Sequence, residues 1–119
     1  MTKGQIESKL SEAISKFEIE QMGRGPEKIR TIIIQDLILI RLKGFLSMSE
    51  KKLAVNKEGV ELIKRVRSSL FENAREEFEA AVKSVIDVNI VSTYSDVSTK
   101  TGEKVIVVIL DQNIENFYK

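Results

Sequence analysis

The chain contains no cysteine and no histidine among its 119 residues. Without cysteine there is no disulfide framework, no thiolate nucleophile and no thiolate metal site. Without histidine the commonest general base and the commonest metal ligand are both missing. Any catalysis would have to run on Asp, Glu or Lys alone, which argues for a protein that is not an enzyme. An excess of one charge is lacking as well, since 19 basic residues stand against 18 acidic ones. Proteins that live on a phosphate backbone usually carry a marked basic excess or stripe, so nucleic acid is a disfavoured partner. Long hydrophobic runs are also missing. The apolar stretches are strand-sized, far short of the roughly 20 residues of a membrane span. The first eight residues are polar and charged, without the apolar segment of a leader. The expectation is a cytoplasmic chain that meets a membrane only through a partner.

What is present fits an ordinary globular domain, with 42% hydrophobic and 31% charged residues. A chain of this length can bury a core without staples, and residues 1–119 are read as a single domain. Thr2 and Gln5 have capping-box spacing, and Ile6, Leu10, Ala13, Ile14 and Phe17 recur at helical intervals. The first helix is expected over 3–21, with Gly23 as its left-handed cap and Gly25-Pro26 preventing its resumption. Two β-branched runs, 30–35 and 37–43, read as a hairpin turning near Gln35-Asp36, or else as one long strand. Ser47 and Glu50 repeat the capping-box spacing ahead of a short helical turn over 49–54. Asn56 caps the main helix. There Val60, Ile63, Val66, Leu70, Phe71, Ala74, Phe78, Ala81, Val82 and Val85 trace one apolar face over roughly 28 residues. Lys64, Arg65, Arg67, Glu72, Arg75, Glu76 and Glu79 make its solvated face. Strands at 87–97 and 104–111 close the chain, and the 112–119 tail adds a last turn or lies loose.

The predicted fold is α+β: a two-layer, four-stranded, mainly antiparallel sheet with two main helices on one face, in α-β-β-α-β-β order, with a possible αββ pseudo-repeat. The strands carry a further message. Val105, Val107 and Ile109 point one way and Ile106, Val108 and Leu110 the other, while Leu37 and Leu39 face away from Ile38, Ile40 and Leu42. A sheet covered on one side only should alternate apolar with polar. The second face therefore needs a cover, and a homodimer formed through it is expected. The competing arrangement folds the long helix or the Phe117 tail over that side.

Two loops could hold an anion. Gly23-Arg24-Gly25-Pro26 offers backbone amides beneath one guanidinium, although its glycines also suffice as cap and turn residues. Ser98-Thr99-Lys100-Thr101-Gly102-Glu103 offers three hydroxyls and an ammonium, and equally reads as a polar hairpin turn. Arg41 and Lys43 project from one strand face near Arg30; they form a basic patch if that face is open and a rim if it is a dimer seam. Asp96 is read as a fixing group for its loop. Asp96, Glu103 and Asp111 match no known cation-loop spacing, so no metal or cofactor is expected. No aromatic platform accompanies the basic residues, which weakens single-strand binding further.

Three motifs then coincide: Met22-Gly23-Arg24-Gly25-Pro26, Arg41-Leu42-Lys43-Gly44 and Ser95-Asp96-Val97-Ser98-Thr99-Lys100-Thr101-Gly102-Glu103. In order and spacing they resemble a bacterial family of small domains called MpsC-like, after a component of a Na⁺-translocating, membrane-potential-generating system. The resemblance spans residues 2–111. It implies a non-enzymatic accessory protein tied to a cation-translocating or inorganic-carbon-uptake membrane complex, and it brings no catalytic residues. A membrane transporter is the partner this implies. Arg24, Ser98, Thr99, Lys100 and Thr101, followed by Arg41 and Lys43, are the expected contact residues for a partner or anion. The alternative is a nucleotide- or nucleic-acid-binding module using the same two loops. A third reading, an enzyme built on Asp96, Lys100 or Glu103, has the missing histidine and cysteine against it.

Overall fold

The computed structural model describes residues 1–118. Its elements are α1 (Lys3–Met22), β1 (Lys28–Ile34), β2 (Leu37–Lys43), α2 (Met48–Leu53), α3 (Lys57–Asn73), α4 (Arg75–Lys83), β3 (Ile90–Ser98) and β4 (Glu103–Leu110). The four strands form one antiparallel sheet in the order β1-β2-β4-β3, symmetric about its central pair. Both expected capping boxes are present: the Thr2 and Ser47 hydroxyls accept the Gln5 and Glu50 amides, and those side chains accept in return. Gly23 ends α1 in the left-handed region at φ 80°. The β1–β2 hairpin turns without a glycine, with Gln35 itself at φ 55°. Such a backbone costs a non-glycine residue energy that the pairing of seven residues on each strand offsets.

The helices lie on one face. Ile6, Leu10, Ile14 and Phe17 of α1 pack with Phe71, Ala74, Phe78 and Val82 against Ile33, Ile38, Ile40, Leu42, Ile106, Val108 and Leu110. At the centre Phe78 meets Phe17 at 5.4 Å and Phe71 at 5.2 Å between ring centroids. The tail does not cross to the second face, because Ile114 is buried in this same core. Both sheet edges are blocked by helix side chains. Glu7 of α1 accepts the Ile33 amide at 2.8 Å, and Arg75 donates to the Thr93 carbonyl at 3.1 Å. An edge occupied in this way is a poor template for strand addition.

The main helix is not continuous. It breaks at Ala74, whose amide is shared between the Leu70 and Phe71 carbonyls at 3.1 Å each and whose φ is −106°. The bend follows from two docking surfaces. Gly59, Ile63 and Phe71 face inward from α3, whereas Phe78 and Val82 face inward from α4. Val66 and Leu70, expected on the buried face, are 48% and 41% exposed. Arg67, expected in solvent, instead lies over the Phe45 ring at 4.9 Å and donates to the Phe45 carbonyl and to both Glu50 oxygens.

That contact makes a pH prediction. Burial would raise the Glu50 pKa, but the Arg67 fork and the Ser47 amide outweigh it and hold the carboxyl below its ordinary 4.5. A folded pKa below the unfolded value gives stability that is present above the unfolded pKa and lost as pH falls through the folded one. Urea unfolding should show Glu50→Gln losing less stability than the parent as pH falls from neutral through the acid range. Parallel pH profiles for the two proteins would contradict the role given to Arg67.

Candidate functional site: the loop end of the sheet and its open face

Alternation along each strand sorts the side chains of the second face, and the register arranges them in four rows across β1, β2, β4 and β3. The first row is Lys28, Lys43, Glu103, Ser98, and the second is Arg30, Arg41, Val105, Asp96. The third is Ile32, Leu39, Val107, Tyr94, and the fourth is Ile34, Leu37, Ile109, Ser92. Two rows are apolar and two are charged. Within the charged half the cations stand on β1 and β2 and the acids on β4 and β3. Lys28 faces Lys43 and Arg30 faces Arg41 directly across the hairpin, an arrangement that like charges disfavour. Among the described residues, Glu103 is the one carboxylate bonded to any of these four cations, through Arg41 at 2.9–3.0 Å. None of the large apolar side chains in rows three and four belongs to the core cluster, and Tyr94 is 60% exposed.

The charged rows end where three loops meet. Arg24, from the 23–26 loop, donates to the Gly44 and Leu46 carbonyls at 3.2 and 3.0 Å. Gly44 donates to the Gly102 carbonyl at 3.1 Å, joining the β2–α2 loop to the β3–β4 turn. Gly44 adopts φ +71°, a conformation that favours glycine at this joint, while the Glu27 carboxyl 2.5 Å from where a Cβ would sit is the movable end of an exposed side chain. The 23–26 and 98–103 loops, widely separated in sequence, thus approach one another on either side of Gly44.

The expected contact residues divide by what they already do. Arg24 spends hydrogen bonds on backbone and braces the loops. The Ser98 hydroxyl accepts the Thr101 amide at 3.3 Å inside its own turn. Lys100 and Thr101 are exposed and Thr99 is half-buried, so these present a hydroxyl-and-ammonium rim. Ser98, Thr99 and Lys100 line an open cleft of about 560 Å³ with Val60, Lys64 and Asp96. Lys64 pairs with Asp96 at 3.6 Å across that cleft. Arg41 and Lys43 belong to the sheet face, beside a second cleft of about 340 Å³ that Lys28 and Arg30 share. Asp111 lies at the opposite end of β4 from Glu103, so the three carboxylates considered for a cation do not converge. Among the described residues no group of three or more His, Cys, Asp or Glu could hold a metal.

Two of these residues escaped sequence reasoning. Lys28 shares a face with Arg30 by simple alternation and was legible once β1 is begun two residues earlier. Lys64 reaches the turn only because α3 crosses β3, which no local pattern reveals. Beneath the charged half lies a further surprise, a buried ion pair between Lys104 and Glu18 at 2.8 Å. The Lys104 ammonium sits 4.9 Å from the Phe71 ring centroid. Burial pulls the Lys104 pKa down, while the charge and hydrogen bond of Glu18 oppose that shift.

Comparison with known proteins places this geometry in context. The family model described as "Na+-translocating membrane potential-generating system (MpsC)" matches residues 2–112. "Uncharacterized protein YbcI" of Bacillus subtilis (strain 168) is 35% identical over 114 residues, covering 96% of this chain and 92% of its own. "Uncharacterized protein YrhF" of the same organism is 27% identical over 106 residues, covering 88% and 87%. Neither name states a chemical activity. No solved structure matches the chain significantly. No helix among the described residues is long and apolar enough to cross a membrane.

Proposed function

Because the chain belongs to the MpsC family, we propose that it serves a membrane-potential-generating system as a non-enzymatic accessory protein that acts by binding. Contact is made at the loop end of the sheet, where Thr99, Lys100 and Thr101 meet an anionic segment of the membrane component. The observation that carries this reading is the meeting of three loops around Gly44, which holds an exposed ammonium and hydroxyls on a fixed base. Preorganised donors on a braced turn lose little freedom on binding, so even a small contact of this kind can be selective. Arg24 and Ser98 act as braces rather than as the groups that touch the partner. No helix among the described residues is long and apolar enough to cross a membrane, and the part proposed for the chain is to regulate or assemble.

The test compares the wild-type chain with Lys100→Glu/Thr101→Asp, both immobilised and offered detergent-solubilised membranes from cells that make the protein. The wild type should retain a subunit of a cation-translocating complex, and the variant should lose most of it while unfolding at the same denaturant concentration. Capture that is equal for both chains removes the loop end from the interface. Steeply salt-dependent retention of an oligonucleotide in place of a membrane protein would assign the loops to phosphate instead.

A further inference from the structure

We infer that the open sheet face is covered by a second copy of this chain, related by a two-fold axis that runs parallel to the strands. The inference rests on the row pattern alone and stands apart from the functional reading above. Two face-to-face arrangements with a two-fold in the plane between sheets are available to an aligned sandwich. An axis across the strands lays the charged rows of one copy on the apolar rows of the other. That arrangement strands desolvated cations against aliphatic side chains. An axis along the strands keeps every row opposite its own kind and exchanges the columns. It places β1 over the partner's β3 and β2 over the partner's β4. Apolar rows then meet apolar rows, with Leu39 opposite the partner's Val107. In the charged half Arg30 meets the partner's Asp96, and Lys43 meets the partner's Glu103.

Charge complementarity therefore selects the occupant. The face carries four cations on β1 and β2 against two acids on β4 and β3. Glu103 already holds Arg41 and Asp96 holds Lys64 within the chain, and a surface with the mirrored pattern brings each acid a second cation. A second copy turned about this axis is such a surface. The same pairing relieves the like-charged cross-strand neighbours Lys28/Lys43 and Arg30/Arg41, which the single chain leaves facing one another. Four strands of seven or so residues make a flat face of roughly 19 by 23 Å, about half of the roughly 800 Å² per partner found in stable interfaces, so side-chain relief and the flanking loops must supply the rest. Edge-to-edge association is the less favourable route, because Glu7 and Arg75 already occupy both edges. Assembly about this axis also sets the partner's Lys28 beside the Ser98 row, adding a cation from the second copy to the loop end.

Sedimentation and light scattering at micromolar concentration should give the wild type the mass of two chains. Leu39→Asp should give the mass of one chain with unchanged helical and strand content. Arg30→Asp should weaken association on the order of a hundredfold by setting carboxylates opposite each other. Arg30→Asp/Asp96→Arg should restore it. The two surface reversals guard against the chance that Leu39→Asp fails to fold. A wild type of one chain mass overturns the inference and leaves the face to a different polypeptide. Dimerisation that persists in Leu39→Asp overturns the face as the seam. A charge swap that fails to rescue overturns the axis.

Discussion

Glu18→Ala is expected to lower the unfolding free energy by about 3–5 kcal/mol at neutral pH, read from urea denaturation. The cost is the charge left behind rather than the contact removed. Lys104 is 3% exposed, enclosed by α1, α3 and the sheet, with the Phe71 ring on one side. Losing Glu18 strips its ammonium of its bonded anion while the low-dielectric surroundings remain. Burial already depresses the Lys104 pKa, and without Glu18 nothing of equal strength opposes that shift. The unfolded chain then binds the proton more readily than the fold does, so the variant regains stability as pH rises toward the ordinary lysine range. Glu18→Leu/Lys104→Met removes both charges together and should return to within about 2 kcal/mol of the parent, or exceed it. A loss below about 1 kcal/mol in Glu18→Ala would show that water reaches the pair in solution.

Phe78→Ala should cost a similar amount, about 3–5 kcal/mol, because it empties the point where the helix layer is knitted together. The ring is fully buried and stacks edgewise or obliquely with both Phe17 and Phe71. The cluster that holds it is made largely of branched aliphatics and two more rings, which have limited freedom to refill the space. Phe117→Ala supplies the contrast, because that ring is 55% exposed on the tail and its loss should fall within about 0.5 kcal/mol. Equal effects at the two positions would mean that the tail, not the Phe17–Phe71–Phe78 cluster, secures the helices.

Local signals in the sequence carried most of the fold. The two capping boxes, the Asn56 cap, the left-handed Gly23 and the alternation in β2 and β4 are contacts between residues at most a few positions apart. Each is visible without knowing what packs where. The expected α+β sheet with its helices on one face is what the structure contains. The break at Ala74 was not legible, because neither glycine nor proline marks it; it comes from α3 and α4 docking on different surfaces. Arg67 read as solvent-facing because helical periodicity cannot see Glu50 and Phe45, which return from another loop. Lys104 read as an ordinary strand residue, since its counterion is 86 positions away. At the candidate site the polar loops were legible as compositions, and their meeting was not. The Arg24–Gly44 and Gly44–Gly102 bonds are consequences of strand order, which the sequence leaves open until β2 is known to pair with β4.

That pairing also governs how the chain comes into being. β4 is the last strand to be synthesised, yet it lies inside the sheet between β2 and β3. Until Glu103–Leu110 has left the ribosome, β2 keeps a bare edge of isoleucine and leucine, and the nascent β1–β2 ribbon is too small to hold its shape alone. The core therefore closes in one late step, when the final strand pairs with β3 just ahead of it and with β2 made long before. A translation product interrupted anywhere ahead of β4 is left with an open, sticky edge, fit for a chaperone or a protease and not for partial service.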